Sequence, residues 1–328
     1  MSNTSLIAVG GENLIDYVNR EGVATAHPGG SPFNVAMALG RQGADVAYIS
    51  PVSTDEWGEL LARTLTASGV RLTGPRRSEP TTMARVTVTG GIPVYSFERE
   101  GTAERMVSER VLQAALPEAA AAIHTGSLTL TGGADADAWE AFLANGYRAG
   151  RVVSLDPNVR LSVVREVEAY RDRILRMSAR AHVLKLSDED LEALLPGRAQ
   201  NEAIAALRAQ SPARVIVLTL GAQGVRAWLG GEQEEIALGA VPVAHLADTV
   251  GAGDTFTATL LMGLATAGLL SPEGLGRLDR PGLEAILRRA ATAAALNCTR
   301  EGCDPPTRAA IDAFGKAAKP AKPLSGGA

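Results

Sequence analysis

The chain is 328 residues long, 46% hydrophobic and 21% charged, with a formal net charge of −4. That balance suits a globular protein of one large domain or two small ones and leaves no basic footprint for nucleic acid. No apolar run reaches the roughly 18 residues that cross a bilayer, so neither a nucleic-acid nor a membrane partner is expected.

Only two cysteines occur, Cys298 and Cys303, without a C-x-x-C unit, and the four histidines are scattered. No zinc constellation results, and a reducing cytoplasm is the expected compartment. The opening MSNTSLIAVGG lacks a basic n-region, so no signal peptide is expected.

In chain order, LIAV (6–9) reads as a short buried strand. SPFNVAMALGRQG (31–43) reads as a helix with Ser31 as N-cap, Pro32 at N1 and Gly43 beyond its end. VAYIS (46–50) returns as a strand, and DEWGELLARTLTASG (55–69) as a helix. AAIHTG (121–126), ADAWEAFLANGYRAG (136–150), RVVSLDP (151–157), AHVLKLS (181–187) and RVIVLTLG (214–221) continue the alternation. Such a rhythm predicts an α/β fold, a mostly parallel sheet covered by helices on both faces. Two stretches break it: 15–30 and 81–100 read as hairpins, the second turning at Gly90-Gly91. They are predicted to be neighbours in a small antiparallel sheet projecting from the body. The tail KAAKPAKPLSGGA (316–328) has no periodicity and is predicted to be disordered.

Polar clusters fall at the carboxyl ends of these strands, where open α/β sheets bind ligands. They are Gly10-Gly11-Glu12, DPNVR (156–160), KLSDED (185–190) and TLGAQG (219–224), and one shared cleft is expected. DTVGAGD (248–254) adds a glycine-rich start to the apolar helix TFTATLLMGLATAG. A helix start is an anion site, so Gly251-Ala252-Gly253 reads as a phosphate cradle holding a carboxylate, Asp254. A dinucleotide fingerprint would need a third glycine where Phe256 stands, and no G-x-x-x-x-G-K-[ST] loop occurs.

GGSPFNVAMALGRQGADVAYIS (29–50) and DTVGAGD, with TLGAQG between, resemble the ribokinase-like sugar kinases, the PfkB carbohydrate kinase family. The resemblance runs in order over roughly residues 5 to 315, and GENLID, GTAE and DPNVR look most like its fructokinase branch. It implies one ribokinase-like domain over 1–315, with an antiparallel β lid drawn from about 15–30 and 81–100. It implies transfer of the γ-phosphate of ATP to a sugar hydroxyl: fructose first, 2-keto-3-deoxygluconate as the alternative. A non-catalytic sugar-sensing protein is the distant alternative.

The family's site residues carry over one by one. Asp254 would take the hydroxyl proton, and the N–H groups of Gly251, Ala252 and Gly253 would stabilise the transferring phosphoryl group. Asp16 and Gly29-Gly30-Ser31-Pro32-Phe33-Asn34 match sugar-binding positions, and Arg99 a lid residue of the fructokinase-like branch. Asn158 and Arg160 would face sugar or phosphates, although Asp-Pro-Asn is also plain turn chemistry. Thr219, Gly221 and Gly224 match the ATP-binding turn, and Asn297 the wall of the adenine pocket. Where the family has N-x-x-E, this chain has Ser187 and Asp190. Asp190 is the candidate for Mg²⁺, or else the pair is a capping box. Asp248, Thr249 and REGCD (300–304) match a monovalent-cation region, implying K⁺. An exposed lid face implies a homodimer through Val86, Val88 and Val94.

Overall fold

The computed structural model describes residues 5–20, 23–89, 92–231 and 234–317. The chain opens with β1 (Leu6–Val9), β2 (Leu14–Arg20), β3 (Val23–Gly29), α1 (Ser31–Arg41), β4 (Val46–Tyr48), β5 (Val52–Ser53) and α2 (Glu56–Ala67). It continues through β6 (Arg71–Leu72), β7 (Arg76–Arg77), β8 (Thr82–Thr89), β9 (Ile92–Glu98), α3 (Glu109–Ala115), β10 (Ala120–Gly126) and α4 (Ala134–Arg148). Then come β11 (Val152–Asp156), α5 (Val167–Ser178), β12 (Val183–Ser187), α6 (Asp188–Leu194), α7 (Gln200–Gln210) and β13 (Val215–Thr219). Last are β14 (Val225–Leu229), β15 (Ile236–Leu238), α8 (Ala252–Thr266), α9 (Pro272–Gly276), α10 (Arg280–Asn297) and α11 (Arg308–Ala317).

Nine strands form the main sheet in the order β15-β14-β13-β12-β11-β10-β1-β4-β6. From β13 to β6 every pairing is parallel, and β14 and β15 close the other edge antiparallel. The period-two alternation of β1 shows why both faces are covered: Ile7 and Val9 enter one apolar cluster, Leu6 and Ala8 the other. The first cluster lies under α1, α2, α8 and α10; the second, built around Trp139 and Phe142, lies under α3 to α7. Helix α8 is buried almost all round between α1 and α10, which suits its run of small and apolar residues. Among the described residues no helix is long and apolar enough to cross a membrane.

The two hairpins form a second sheet, β3-β2-β8-β9. Each hairpin is antiparallel, but the seam between them, β2 with β8, is parallel. That corrects the all-antiparallel expectation. Both first strands leave the body in the same direction, so laying the hairpins side by side pairs them in parallel. Thr89 pairs with Ile92, while Gly90-Gly91 lie outside the described residues, as do the side chains of Val86, Val88 and Val94.

Two helix ends also differ from expectation. Gly30, not Ser31, is the N-cap of α1, at φ 107°, and the first helical bond runs from the Asn34 N–H to the Gly30 carbonyl. The Ser31 hydroxyl does not cap because it bonds elsewhere. Gly43, at φ 82°, stands past the C-terminus as expected. Helix α11 runs to Ala317, two residues into the tail expected to be disordered, and 318–328 lie outside the described residues.

Candidate active site

Asp254 sits in the first turn of α8, buried, behind the N-cap Gly251. Gly251 is left-handed at φ 76°, and a Cβ there would collide with the Cys303 side chain, so backbone and packing both require glycine. Gly253 has no positive φ; it is helical, and a Cβ would lie 3.0 Å from Lys185 Nζ. The Ala252 N–H donates to the Thr249 carbonyl at 3.2 Å. Among the described residues the Gly251 and Gly253 N–H groups have no protein acceptor and remain for an anion.

The two distant motifs meet on this carboxylate. The Ser31 hydroxyl donates to Asp254 Oδ1 at 2.6 Å, and Asn34 Nδ2 donates to Oδ2 at 2.8 Å. Burial pushes the Asp254 carboxyl up to about 6, against the pull of these two donors. Asn34 Oδ1 is buried and has no hydrogen-bond partner among the described residues.

Asp16, on β2, packs its carboxylate on Gly29 where a Cβ would collide with it. Burial raises it to about 6; His27, its register partner on β3, pulls it down and Asp254 pushes it further up. A Cβ on Gly30 would lie 2.6 Å from the Glu12 carbonyl oxygen.

Two buried charged residues belong to the polar clusters expected at the cleft, but the sequence assigns neither a role of its own. Lys185, in the middle of β12, is 5% exposed and pairs with Asp156 Oδ2 at 3.0 Å. Asp156 Oδ2 also accepts from the Thr257 hydroxyl at 2.9 Å, while its Oδ1 has no partner among the described residues. Burial works against the Lys185 charge, but Asp156, Asp190 and Asp254 outweigh it and hold the ammonium above its ordinary range. The available signal was a lysine inside the apolar strand VLKLS, where unpaired lysine is seldom tolerated. Glu12 accepts from the Ser31 N–H at 3.0 Å and the Thr129 N–H at 3.3 Å, tying the loop after β1 to α1. Burial raises it to about 7, although Arg99 lowers it.

Arg99 is held by Glu104, with Nε–Oε1 at 2.7 Å and Nη2–Oε2 at 3.2 Å, and reaches the Thr131 hydroxyl at 3.2 Å. Asn158 is half-buried at φ 39°, an uncommon backbone for a residue other than glycine. Arg160 is exposed and donates to the Val159 carbonyl.

Ser187 and Asp190 form a capping box: the Ser187 hydroxyl accepts from the Asp190 N–H, and Asp190 Oδ2 from the Ser187 N–H. Asp190 Oδ1 accepts from the Val159 N–H at 2.6 Å, so the carboxylate pins the DPNVR loop to α6. Gly221 and Gly224 have φ of 53° and 103°, and the Thr219 hydroxyl lies 3.4 Å from the Leu186 carbonyl. Asn297, fully buried, donates to the Val250 carbonyl at 2.7 Å and accepts from Thr255 at 3.4 Å, bracing the loop that enters α8. Asp248 accepts from the Val250 and Gly302 N–H groups, both at 3.0 Å, and Thr249 is exposed. Among the described residues no group of three histidine, cysteine or acidic side chains could hold a metal ion.

Known proteins resemble this chain in sequence and in fold. The chain is 35% identical over 283 residues to a fructokinase of Rhizobium leguminosarum bv. trifolii, covering 83% of this chain and 84% of that one. It is 31% identical to the probable fructokinase-5 of Arabidopsis thaliana, covering 84% and 87%. The fructokinase of Xylella fastidiosa, solved with bound ATP, superposes with a TM-score of 0.86 at 26% identity, over 96% of this chain and 99% of that one. An aminoimidazole riboside kinase of Salmonella enterica, at 23% identity and TM-score 0.80, shares the fold over 94% and 99%. The pattern of the pfkB family carbohydrate kinases matches residues 5–310, and the chain belongs to that family.

Proposed function

We propose that this carbohydrate kinase transfers the γ-phosphate of ATP to fructose, with Asp254 as the general base. The observation that carries the reading is one buried carboxylate held by Ser31 and Asn34 beside open helix-start donors and the Lys185 ammonium. A base next to an anion site suits phosphoryl transfer, which needs positioning and charge stabilisation more than covalent chemistry.

In the step, the sugar O–H bond breaks and its proton goes to Asp254. The oxygen's electron pair forms the new O–P bond, the bridging P–O bond of ATP breaks, and ADP leaves. The Gly251 and Gly253 N–H groups and Lys185, itself neutralised on one side by Asp156, balance the charge on the moving phosphoryl group. Asp16 and the unpartnered Asn34 Oδ1 offer acceptors to sugar hydroxyls. Mg²⁺ on the phosphates would supply further neutralisation. With Asp190 engaged by backbone N–H groups, that ion would be held chiefly by phosphate and water.

Likeness to fructokinases supports fructose as the acceptor. So does Arg99: its guanidinium is already matched by Glu104, whereas an acidic keto-deoxy sugar would need a cation free to meet its carboxylate. The same reading carries a single kinase domain over 1–315, a lid-to-lid homodimer, a K⁺ site near Asp248 and Thr249, ATP contacts at Thr219, Gly221 and Gly224, and a cytoplasmic location; Asn297, with both amide groups engaged by protein, braces the α8 loop instead of touching ATP.

ADP release with MgATP across a sugar panel, with and without K⁺, tests it. Fructose should give the highest kcat/KM. Preference for 2-keto-3-deoxygluconate would overturn the acceptor, and no ADP release with any sugar would overturn the transfer itself.

A further inference from the structure

The free base is held on both oxygens by donors of different kinds. Asn34 reaches Oδ2 through an amide NH₂, which can only donate; Ser31 reaches Oδ1 through a hydroxyl, which can donate or accept. Both stabilise the charged form, and each oxygen keeps a second lone pair for an incoming proton. Resting on the kinase reading above, we propose that Ser31 is a positioning residue: its hydroxyl fixes Oδ1 of Asp254 and favours the ionised form, so that the base is charged and aimed when the sugar hydroxyl arrives.

The hydroxyl is fixed well enough for this. Ser31 is buried in the first turn of α1, and its own N–H is tied to Glu12 Oε1, whose second oxygen takes the Thr129 N–H. Three segments therefore converge to hold one hydroxyl 2.6 Å from the base, across 223 residues of sequence. The chemistry balances. The sugar O–H breaks, the proton bonds to a free lone pair of the Asp254 carboxylate, and it leaves to solvent after product release.

Several charged or titratable groups face Asp254 from other elements and stay in place when Ser31 is changed. They are Asp156 at the end of β11, Lys185 on β12, Asp16 on β2 and Cys303 in the loop after α10. A change in the titration of Asp254 on altering Ser31 alone therefore reports the hydroxyl.

The test compares Ser31→Ala with Ser31→Thr, which keeps a hydroxyl. Carboxyl carbon NMR of the sugar-free protein follows the Asp254 titration, and kcat/KM against pH follows turnover. Loss of one donor to the charged form should raise the Ser31→Ala midpoint by about one pH unit, the scale of a single charge-assisted hydrogen bond. The acid limb should move up with it, and kcat should fall roughly 10-fold with the sugar KM nearly unchanged. Ser31→Thr should return both towards wild type. An unmoved midpoint in Ser31→Ala, with or without a fall in kcat, overturns the proposal. Because the NMR midpoint needs no acceptor, it decides the matter even if fructose is not the substrate.

Discussion

Replacing Lys185 by Met keeps the length and apolar stem of the side chain and removes only the ammonium. The structure separates two consequences. Asp156 is 1% exposed and would lose its cation, keeping the Thr257 hydroxyl on one oxygen and nothing on the other. Stranding one partner of a buried pair destabilises by roughly 3–5 kcal/mol. For catalysis, a phosphoryl charge about 4 Å from Nζ at an effective dielectric near 20 interacts by roughly 4 kcal/mol. The full loss would be about 10³-fold; solvent and the remaining donors recover part of it, so kcat should fall about 10–10²-fold. Adding Asp156→Asn removes the stranded charge and should recover much of the stability but none of the rate. Denaturant unfolding and ADP release, measured on both variants, separate the effects. A folded Lys185→Met protein with wild-type kcat would refute the placement of the ammonium beside the transferring group.

Asp254→Asn should lower kcat about 10²–10⁴-fold, the scale of a lost general base, with ATP affinity by calorimetry nearly unchanged. Since Asp254 works ionised and is raised to about 6, wild-type turnover should rise with pH along a limb centred near that value; a limb below pH 5 would contradict the burial argument. Gly253→Val should abolish turnover while circular dichroism stays native, because the nearest obstacle to its side chain is the flexible end of Lys185. Glu12 binds a proton more tightly folded, at about 7, than its ordinary 4.5, so folding takes up a proton between those values and stability falls as pH rises through that window. Of that dependence, the part above pH 6 should disappear in Glu12→Gln, checked by urea midpoints at pH 6 and 7.5; an unchanged slope would place the titration elsewhere.

Much of the molecule was legible locally. Strand and helix alternation, the glycines around Asp254 and the Ser187–Asp190 capping box all depend on spacings of two to four residues, and local geometry enforces those spacings whatever lies beyond them. Asp254 could be singled out because an acid inside an anion cradle contradicts the electrostatics of its neighbours unless it does proton chemistry. Other features had no local signature. The parallel seam between β2 and β8 follows from the direction in which two hairpins leave the body, not from either hairpin. Lys185, Asp156 and Thr257 converge only once β11, β12 and α8 are packed, and nothing local pairs the hydroxyl of Ser31, an N-cap candidate within the sugar-binding stretch, with Asp254. The reason is desolvation. A buried polar group must find a partner wherever the fold brings one, so such pairings are decided by which surfaces are excluded from water together, and that is a property of the packed layers rather than of any stretch of chain.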